Sequence, residues 1–315
     1  MSFIERELAI PSDGYQLSGT LCLPQETGRF PTVLMLHGSG PRDRDENMKG
    51  HPLNVFNQIA HYLASRGIAS LRYDKRGSGK SSGDYYTTGL FDIVNDAIHW
   101  VDALQGFDGC DPGKIFVLGH SEGCIIAPQV SLERPKVAGL ILLGPFVENM
   151  EPILIRQAAL LQREFEGPRN LIGLLRRVLS RLMGLTVNDQ RKLLQRIKLT
   201  DKDVLRARFV KIPAKSIREL IRLDPPSIFR RITVPVLLIG GEKDLQCDPN
   251  DVHRIAELVR GPAEDHVIDD LSHVLRREER TPTLRGTLEL LDQPVEPIVL
   301  NLVATWLEKQ IAPKG

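Results

Sequence analysis

Five short apolar runs constrain the fold of this chain more than any other feature of its sequence. They are "TVLMLH" (32–37), "IASLRY" (68–73), "KIFVLG" (114–119), "VAGLILLG" (137–144) and "TVPVLLIGG" (233–241). Because the residues of each run are apolar on both faces, the runs predict strands that are buried on both sides. Amphipathic stretches such as "LFDIVNDAIHWVDALQG" separate them. This alternation predicts an α/β fold in which helices flank a mostly parallel central sheet.

Two segments depart from this alternation of strands and helices. "FIERELAI" and "YQLSGTLCL" are separated by "PSDG" and predict an antiparallel hairpin at the leading edge of the sheet. Between about Phe146 and Arg231 helical periodicity replaces the strand-like runs. We therefore expect residues 146–231 to form an inserted helical cap, and residues 1–145 and 232–315 to form the core.

The charge of this insertion is uneven. Residues 146–231 contain 19 Lys and Arg but 9 Asp and Glu, a net charge of +10, which leaves −9 elsewhere in a chain whose net charge is +1. Solvated helix faces account for such a charge, and a rim that attracts anionic substrates is the alternative.

Composition narrows the class of protein. Hydrophobic residues make up 42% and charged residues 26% of the 315 residues, which is typical of a globular protein and favours neither disorder nor a nucleic-acid partner. Glu5, Arg6 and Glu7 stand where a signal peptide needs an apolar core, and no run reaches the roughly 18 apolar residues of a membrane span. We expect a cytoplasmic location. Four well-separated cysteines and the absence of H-E-x-x-H predict reduced thiols and no metal site.

The motif "GHSEG" (119–123) stands directly after one predicted strand and before a predicted helix. G-x-S-x-G in this context is typical of a nucleophile elbow, a strained turn that exposes a serine hydroxyl. Gly119 and Gly123 avoid crowding between the strand and the helix. Ser121 is therefore the candidate nucleophile, and Glu122 in the first helical turn supplies a candidate oxyanion donor through its backbone N–H.

A serine hydroxyl needs a general base and an acid that orients the base, and in this motif both come later in the chain, acid first. "LLIGGEKDLQCDP" supplies Asp244 just after a predicted strand. Asp248 lies farther from the strand end, while Asp269 and Asp270 lie close in sequence to the candidate base. These three residues remain alternative acids.

The candidate base is His273 in "DHVIDDLSHVLRR", within a loop after the short run 266–268. His266 is the alternative, but it opens a predicted strand. The order Ser121, Asp244, His273 matches the order that the motif requires.

A second oxyanion donor is expected in "LMLHGSGPRDRDEN", where small residues follow a predicted strand. Ser39 is the candidate, with Gly38 and Gly40 as alternatives, because their backbone N–H groups can approach a substrate carbonyl.

The loop "DKRGSGKSSGD" (74–84) imitates a phosphate-binding loop with Gly79, Lys80 and Ser81. That motif needs a glycine five positions before Gly79, and Asp74 stands there instead. A loop packed beneath the active site is the better interpretation.

With these residues the sequence resembles the α/β-hydrolase superfamily, and within it bacterial serine carboxylesterases with a helical cap. The resemblance rests on "LHGSGPRDRDEN", "RYDKRGSGKSSG", "GHSEG", "GEKD" and "LSH", spread from Leu36 to His273. It implies a cofactor-free hydrolase of small-molecule esters with short to medium acyl chains. Its acyl-enzyme forms on Ser121, His273 acts as base and then acid, and Asp244 fixes the imidazole tautomer. Cap residues would form the substrate pocket.

Alternative functions remain open, and the sequence departs from the family pattern at one position of the motif region. A thioesterase or a peptidase would use the same three residues, and a non-catalytic ligand receptor could share the scaffold. Relatives often have a second glycine where Cys124 stands, so we expect this thiol to make the enzyme sensitive to bulky thiol reagents.

Overall fold

The computed structural model describes residues 3–312 except 49, 169, 208, 209 and 285. Within these residues the strands are β1 (Ile4–Ser12), β2 (Tyr15–Leu23), β3 (Phe30–Leu36), β4 (Ala69–Tyr73), β5 (Cys110–His120), β6 (Gly139–Leu143), β7 (Val204–Ala207), β8 (Val210–Pro213), β9 (Val236–Gly241) and β10 (Ala263–Ile268). The helices are α1 (Val55–Ser65), α2 (Leu90–Leu104), α3 (Gly123–Glu133), α4 (Met150–Glu166), α5 (Leu171–Leu182), α6 (Val187–Leu199), α7 (Ala214–Arg222), α8 (Pro225–Phe229), α9 (Asp251–Leu258) and α10 (Pro297–Ile311).

Eight strands form one sheet in the order β1-β2-β4-β3-β5-β6-β9-β10. Only β2 runs against its neighbours among these strands, and its pairing with β1 from Ile4–Leu23 to Ser12–Tyr15 is the predicted hairpin. The five apolar runs form β3, β4, β5, β6 and β9 in the interior of the sheet. The prediction of a mostly parallel sheet flanked by helices is therefore confirmed.

Apolar side chains are buried on both faces of the sheet. On one face α2 and α3 contribute residues such as Ile93, Val101 and Ile125. On the other face α1 and α10 contribute residues such as Phe56 and Val303. Helices on both faces explain why the central strands lack the alternation of a half-exposed sheet.

The segment between β6 and β9 contains α4 to α8 and also the antiparallel ribbon of β7 and β8, in which Val204 pairs with Pro213. Besides the helices that the periodicity predicts, the insertion thus contains two strands that the sequence pattern did not reveal. Each ribbon strand has four residues and none of them is fully buried. Such short, half-exposed strands lack the continuous apolar run that identifies the core strands.

The carboxyl ends of parallel strands meet at one edge of a sheet, where α/β proteins place their functional residues. The loops after β3, β5 and β9 carry Ser39, Ser121 and Asp244 to this edge. In the described part of the chain, no helix has the length and apolar character needed to cross a membrane.

Candidate active site

The turn between β5 and α3 places Ser121 in a strained conformation. Its φ of 54° lies in the left-handed region, which is uncommon for a residue with a side chain. A Cβ atom on Gly119 would lie 2.2 Å from the Gly123 carbonyl oxygen, and one on Gly123 would lie 2.0 Å from the Leu36 carbonyl oxygen. Only glycine fits at these two positions. Glu122 directly precedes α3, not within its first turn as expected.

The structure brings Ser121, His273 and Asp244 together. His273 Nε2 lies 3.0 Å from Ser121 Oγ, and His273 Nδ1 lies 2.7 Å from Asp244 Oδ2. The other carboxylate oxygen of Asp244 accepts the backbone N–H groups of Gln246 and Cys247 at 2.7 and 2.9 Å. Asp244 and His273 are buried, so the arrangement is held away from bulk water.

The alternative acids and the alternative base lie elsewhere. Asp248 accepts hydrogen bonds from Asn250, and Asp269 is exposed. Asp270 lies near the side chains of Lys243 and Arg277. His266 lies within β10, where its Nε2 is 3.1 Å from Glu264, and does not open the strand as expected.

Two backbone N–H groups are available beside Ser121. Ser39 and Glu122 line the same cavity as Ser121, and in the described part of the chain no hydrogen bond uses either backbone N–H. The Gly38 N–H already donates to Glu46 Oε1 at 2.8 Å. Of the three candidates in the loop after β3, Gly38 is therefore excluded, whereas Ser39 and Gly40 both line the cavity. Ser39 remains the candidate donor, with Gly40 as the alternative.

A buried ion pair that the sequence analysis did not anticipate lies behind the site. His120 Nδ1 is 2.8 Å from both carboxylate oxygens of Glu46, and His120 Nε2 is 2.9 Å from the His273 carbonyl oxygen. Burial alone would raise the pKa of the Glu46 carboxyl, but the charge and hydrogen bond of His120 lower it well below its usual range. Burial opposes the charge on His120, and Glu46 nevertheless raises its pKa.

A second buried ion pair joins Lys75 and Glu122. Lys75 Nζ lies 2.9 Å from Glu122 Oε1 and donates to the Gly38 carbonyl oxygen at 2.9 Å. Lys75 comes from the loop that imitates a phosphate-binding loop. The sequence signal that could have identified these buried ion pairs is that charged residues stand in the loops directly after the buried strands β3 and β4.

The phosphate-loop interpretation is excluded by the Asp74 carboxylate. This carboxylate accepts the Lys80 backbone N–H at 2.9 Å and the Arg44 side chain at 2.7 Å. A Cβ atom on Gly79 would lie 2.3 Å from the Asp74 carboxyl carbon. A buried carboxylate therefore occupies the place where a phosphate would need to bind.

A cavity of about 290 Å³ opens at Ser121. Its walls are mostly apolar and include residues of α4 and α7: Met150, Ile153, Leu154, Ile217 and Leu220. Tyr85, Gln157 and Gln246 add polar groups. None of the described residues that line this cavity is Lys or Arg. The positive charge of residues 146–231 therefore lies away from the cavity, which fits solvated helix faces.

Asp244, Cys247 and His273 carry potential metal ligands that lie within 4.8 Å of one another. Both carboxylate oxygens of Asp244 and both ring nitrogens of His273 already make hydrogen bonds. Burial raises the pKa of the Cys247 thiol well above its usual range, which disfavours the thiolate that a metal requires. These donors fit a hydrogen-bonded catalytic site better than a metal centre.

The sheet and the elbow at the end of β5 define an α/β-hydrolase. The family model for serine aminopeptidase, S33, matches residues 49–280, and the chain belongs to that family.

Curated relatives include enzymes that are named for action on esters. The chain is 30% identical over 312 residues to esterase EstD of Thermotoga maritima, covering 98% of this chain and 68% of the relative. It is 27% identical over 276 residues to the monoglyceride lipase of Mus musculus, covering 84% and 82% of the two chains.

Solved structures share the fold at low sequence identity. Est1E of Butyrivibrio proteoclasticus with bound ferulic acid has a TM-score of 0.64 and 19% identity, covering 96% of this chain and 99% of that chain. The Pyrococcus furiosus esterase Pf2001 has a TM-score of 0.62 and 18% identity, covering 98% and 92%.

Proposed function

We propose that this α/β-hydrolase is a serine esterase that cleaves carboxylic esters through an acyl-enzyme on Ser121. The continuous hydrogen-bonded path from Ser121 through His273 to Asp244, with distances of 3.0 and 2.7 Å, carries this proposal. The relatives named esterase EstD and monoglyceride lipase support an ester as the substrate.

In the first half of the reaction His273 Nε2 takes the proton of Ser121 Oγ as the oxygen attacks the ester carbonyl. The N–H groups of Ser39 and Glu122 stabilise the developing oxyanion. His273 then returns the proton to the departing alcohol. In the second half His273 takes a proton from the water molecule that attacks the acyl-enzyme, and it returns this proton to Ser121 Oγ as the acyl–Oγ bond breaks and the carboxylic acid leaves. Asp244 holds the tautomer in which Nε2 can accept a proton.

Residues 146–231 act as a cap that supplies the acyl pocket. The apolar side chains of α4 and α7 beside Ser121 suit an uncharged acyl group of short to medium length. The absence of Lys and Arg among the described lining residues gives no support to a thioesterase that binds phosphates there. A peptidase acting on free N-termini would need a carboxylate in the cavity besides Glu122, whose side chain pairs with Lys75.

The natural substrate is a small-molecule ester, and the protein acts in the cytoplasm. The location is supported by the four cysteines, all of which are free thiols in the structure.

Hydrolysis of p-nitrophenyl acetate, butyrate, octanoate and dodecanoate by the wild type and Ser121→Ala tests this function. A serine-directed phosphonate with intact-mass detection is applied to both proteins. We expect activity and labelling to disappear together in Ser121→Ala. They should persist in Ser131→Ala, which removes a buried hydroxyl that bonds the Pro128 carbonyl oxygen within α3. A folded wild type that is neither active nor labelled would exclude the esterase and favour the receptor.

A further inference from the structure

Gly38 has both of its backbone polar atoms bound by charged, buried side chains. Its N–H donates to Glu46 Oε1 at 2.8 Å, and its carbonyl oxygen accepts from Lys75 Nζ at 2.9 Å. His37 Nδ1 also lies 3.1 Å from this carbonyl oxygen, so Lys75 is its charged partner but not its sole neighbour. A Cβ atom on Gly38 would lie 3.2 Å from Ser121 Cβ, so this residue packs directly against the nucleophile. The backbone at this point is therefore fixed from two sides.

The Lys75 contact sets the direction of the next N–H group. In a trans peptide the C=O of one residue and the N–H of the next point in opposite directions, and no cis peptide occurs in the described residues. Because Lys75 holds the Gly38 carbonyl oxygen, the Ser39 N–H is directed away from Lys75. A rotation of this peptide plane would remove the Ser39 donor from the site.

Lys75 also connects the two halves of the oxyanion hole. Its ammonium group contacts the Glu122 carboxylate at 2.9 Å, while Glu122 provides the second backbone donor. A single side chain thus joins the peptide that carries the Ser39 N–H to the residue that carries the other N–H.

Glu46 makes the corresponding connection to the general base. It accepts the Gly38 N–H and also binds His120, which in turn bonds the His273 carbonyl oxygen. Both ring nitrogens of His120 face acceptor oxygens, so both carry a proton and the ring is an imidazolium. Glu46 and His120 have fully or almost fully buried side chains. The pair therefore links the loop after β3 to the loop of His273.

A buried ion pair is weak evidence of a role in stability, since apolar residues of similar volume often stabilise a core as well or better. Two such pairs converging on one glycine favour a role in orientation.

We propose that Lys75 and Glu46 are positioning residues that clamp Gly38, so that the Ser39 N–H stays directed at the oxyanion and His273 stays aligned with Ser121. This inference rests on the proposed esterase function. It assigns a role to the charged loops "PRDRDEN" and "DKRG", neither of which the proposed reaction otherwise uses.

The test compares Lys75→Met, Glu46→Ala and Glu46→Gln in steady-state hydrolysis of p-nitrophenyl butyrate. Lys75→Met and Glu46→Ala are expected to lower kcat about 10- to 100-fold, with KM changed less than about threefold, because the lost interaction acts in the transition state. Affinity for a trifluoromethyl ketone that forms an oxyanion on Ser121 should fall by a similar factor. Glu46→Gln keeps an acceptor for the Gly38 N–H and should retain kcat within about threefold.

A matched control removes a buried ion pair that does not contact Gly38. Asp96 pairs with Arg76 at 2.5 Å. Asp96→Ala is expected to lower the melting temperature while leaving kcat within about twofold of the wild type.

A second variant keeps the test decisive where Lys75→Met fails to fold. Lys75→Met with Glu122→Gln leaves no unpaired buried charge, yet still lacks the Lys75 ammonium donor to the Gly38 carbonyl oxygen. His37 Nδ1 remains near that oxygen without the charge of Lys75, and the same loss of kcat is expected. Wild-type kcat in this double variant or in folded Lys75→Met, with Ser121→Ala inactive, would overturn the clamp alone. Equal losses in Glu46→Gln and Glu46→Ala would overturn the positioning role of Glu46. An inactive wild type would overturn the esterase function and the clamp together.

Discussion

Asp244 holds His273 through a buried hydrogen bond of 2.7 Å between Oδ2 and Nδ1. Its Oδ1 is occupied by two backbone N–H donors, those of Gln246 and Cys247. The carboxylate is therefore fixed in the orientation that presents an acceptor to the imidazole.

Asp244→Asn should lower kcat for p-nitrophenyl butyrate by about 10³- to 10⁴-fold. The two backbone donors require the amide oxygen, which turns the amide NH₂ towards His273 Nδ1 and selects the tautomer that cannot accept the proton of Ser121. Asp248→Asn, at the alternative acid, should retain kcat within about twofold. Similar losses in both variants would show that the acid had been assigned incorrectly.

The size of the cavity should determine the preferred acyl length. Ile217 lines the cavity of about 290 Å³ at Ser121. Ile217→Trp is expected to lower kcat/KM for p-nitrophenyl octanoate by about tenfold or more, while acetate changes less than about threefold, because added volume excludes the distal methylenes. Leu199→Trp, at a residue 88% exposed in the same insertion, serves as the control. Loss of both substrates to the same extent would place the acyl chain elsewhere.

The thiols should react slowly with bulky reagents in the native protein. All four cysteines are buried, and burial raises the pKa of Cys22 to about 11 and that of Cys124 well above its usual range. In place of the sensitivity to bulky thiol reagents expected from the sequence, we now expect the buried Cys124 thiol to be protected from them. Incubation with dithiobis(nitrobenzoate) at neutral pH should leave esterase activity intact, and denaturation should release four equivalents. Rapid inactivation of the native enzyme would contradict this result, and Cys247→Ala would then test the thiol that lines the cavity.

The Glu46–His120 pair should make stability depend on pH in a defined direction. The lowered pKa of Glu46 contributes stability above its ordinary value of 4.5, and this contribution disappears as the pH falls through the lowered value. The raised pKa of His120 contributes stability below its ordinary value of 6.5, and this contribution disappears as the pH rises through the raised value. The pair therefore stabilises the folded protein most at pH values between 4.5 and 6.5, the ordinary pKa values of the two side chains.

Thermal unfolding at constant ionic strength measures this dependence. The advantage in Tm of the wild type over Glu46→Gln should shrink as the pH rises above 6.5 and His120 loses its proton at its raised pKa. Asp74→Asn, whose partner Arg44 does not titrate in this range, should show a constant difference. If the Tm advantage of the wild type over Glu46→Gln grew with pH, Glu46 and His120 would not be a charged pair.

The central sheet was predictable because its strands are buried on both faces. A run such as "KIFVLG" has no exposed side to break its apolar character, and it forms the second half of β5. The β7–β8 ribbon was not predictable by the same signal, since its four-residue strands remain partly exposed. A sequence pattern thus identifies strands that are buried on both faces, but not short strands that stay partly exposed.

The proposed catalytic residues were found from chain order and strand ends, and the structure brings them together. The charged clamp was missed because its contacts join distant segments. Glu46 and His120 are 74 residues apart, and Lys75 and Glu122 are 47 apart. In the sequence, Glu46 and Lys75 look like ordinary charged residues of exposed loops. Only the packing of those loops against the elbow shows that their charges are buried.

The position of His273 also has a consequence for how activity returns after unfolding. Ser121 and His273 are 152 residues apart, and β9 and β10 complete the sheet beyond β6. Contacts between such distant segments form late, because closing a long loop costs entropy before the contact rewards it. The return of ester hydrolysis during refolding would therefore report that β9 and β10 have joined the sheet. A protein in which they have not yet joined would be compact but inactive.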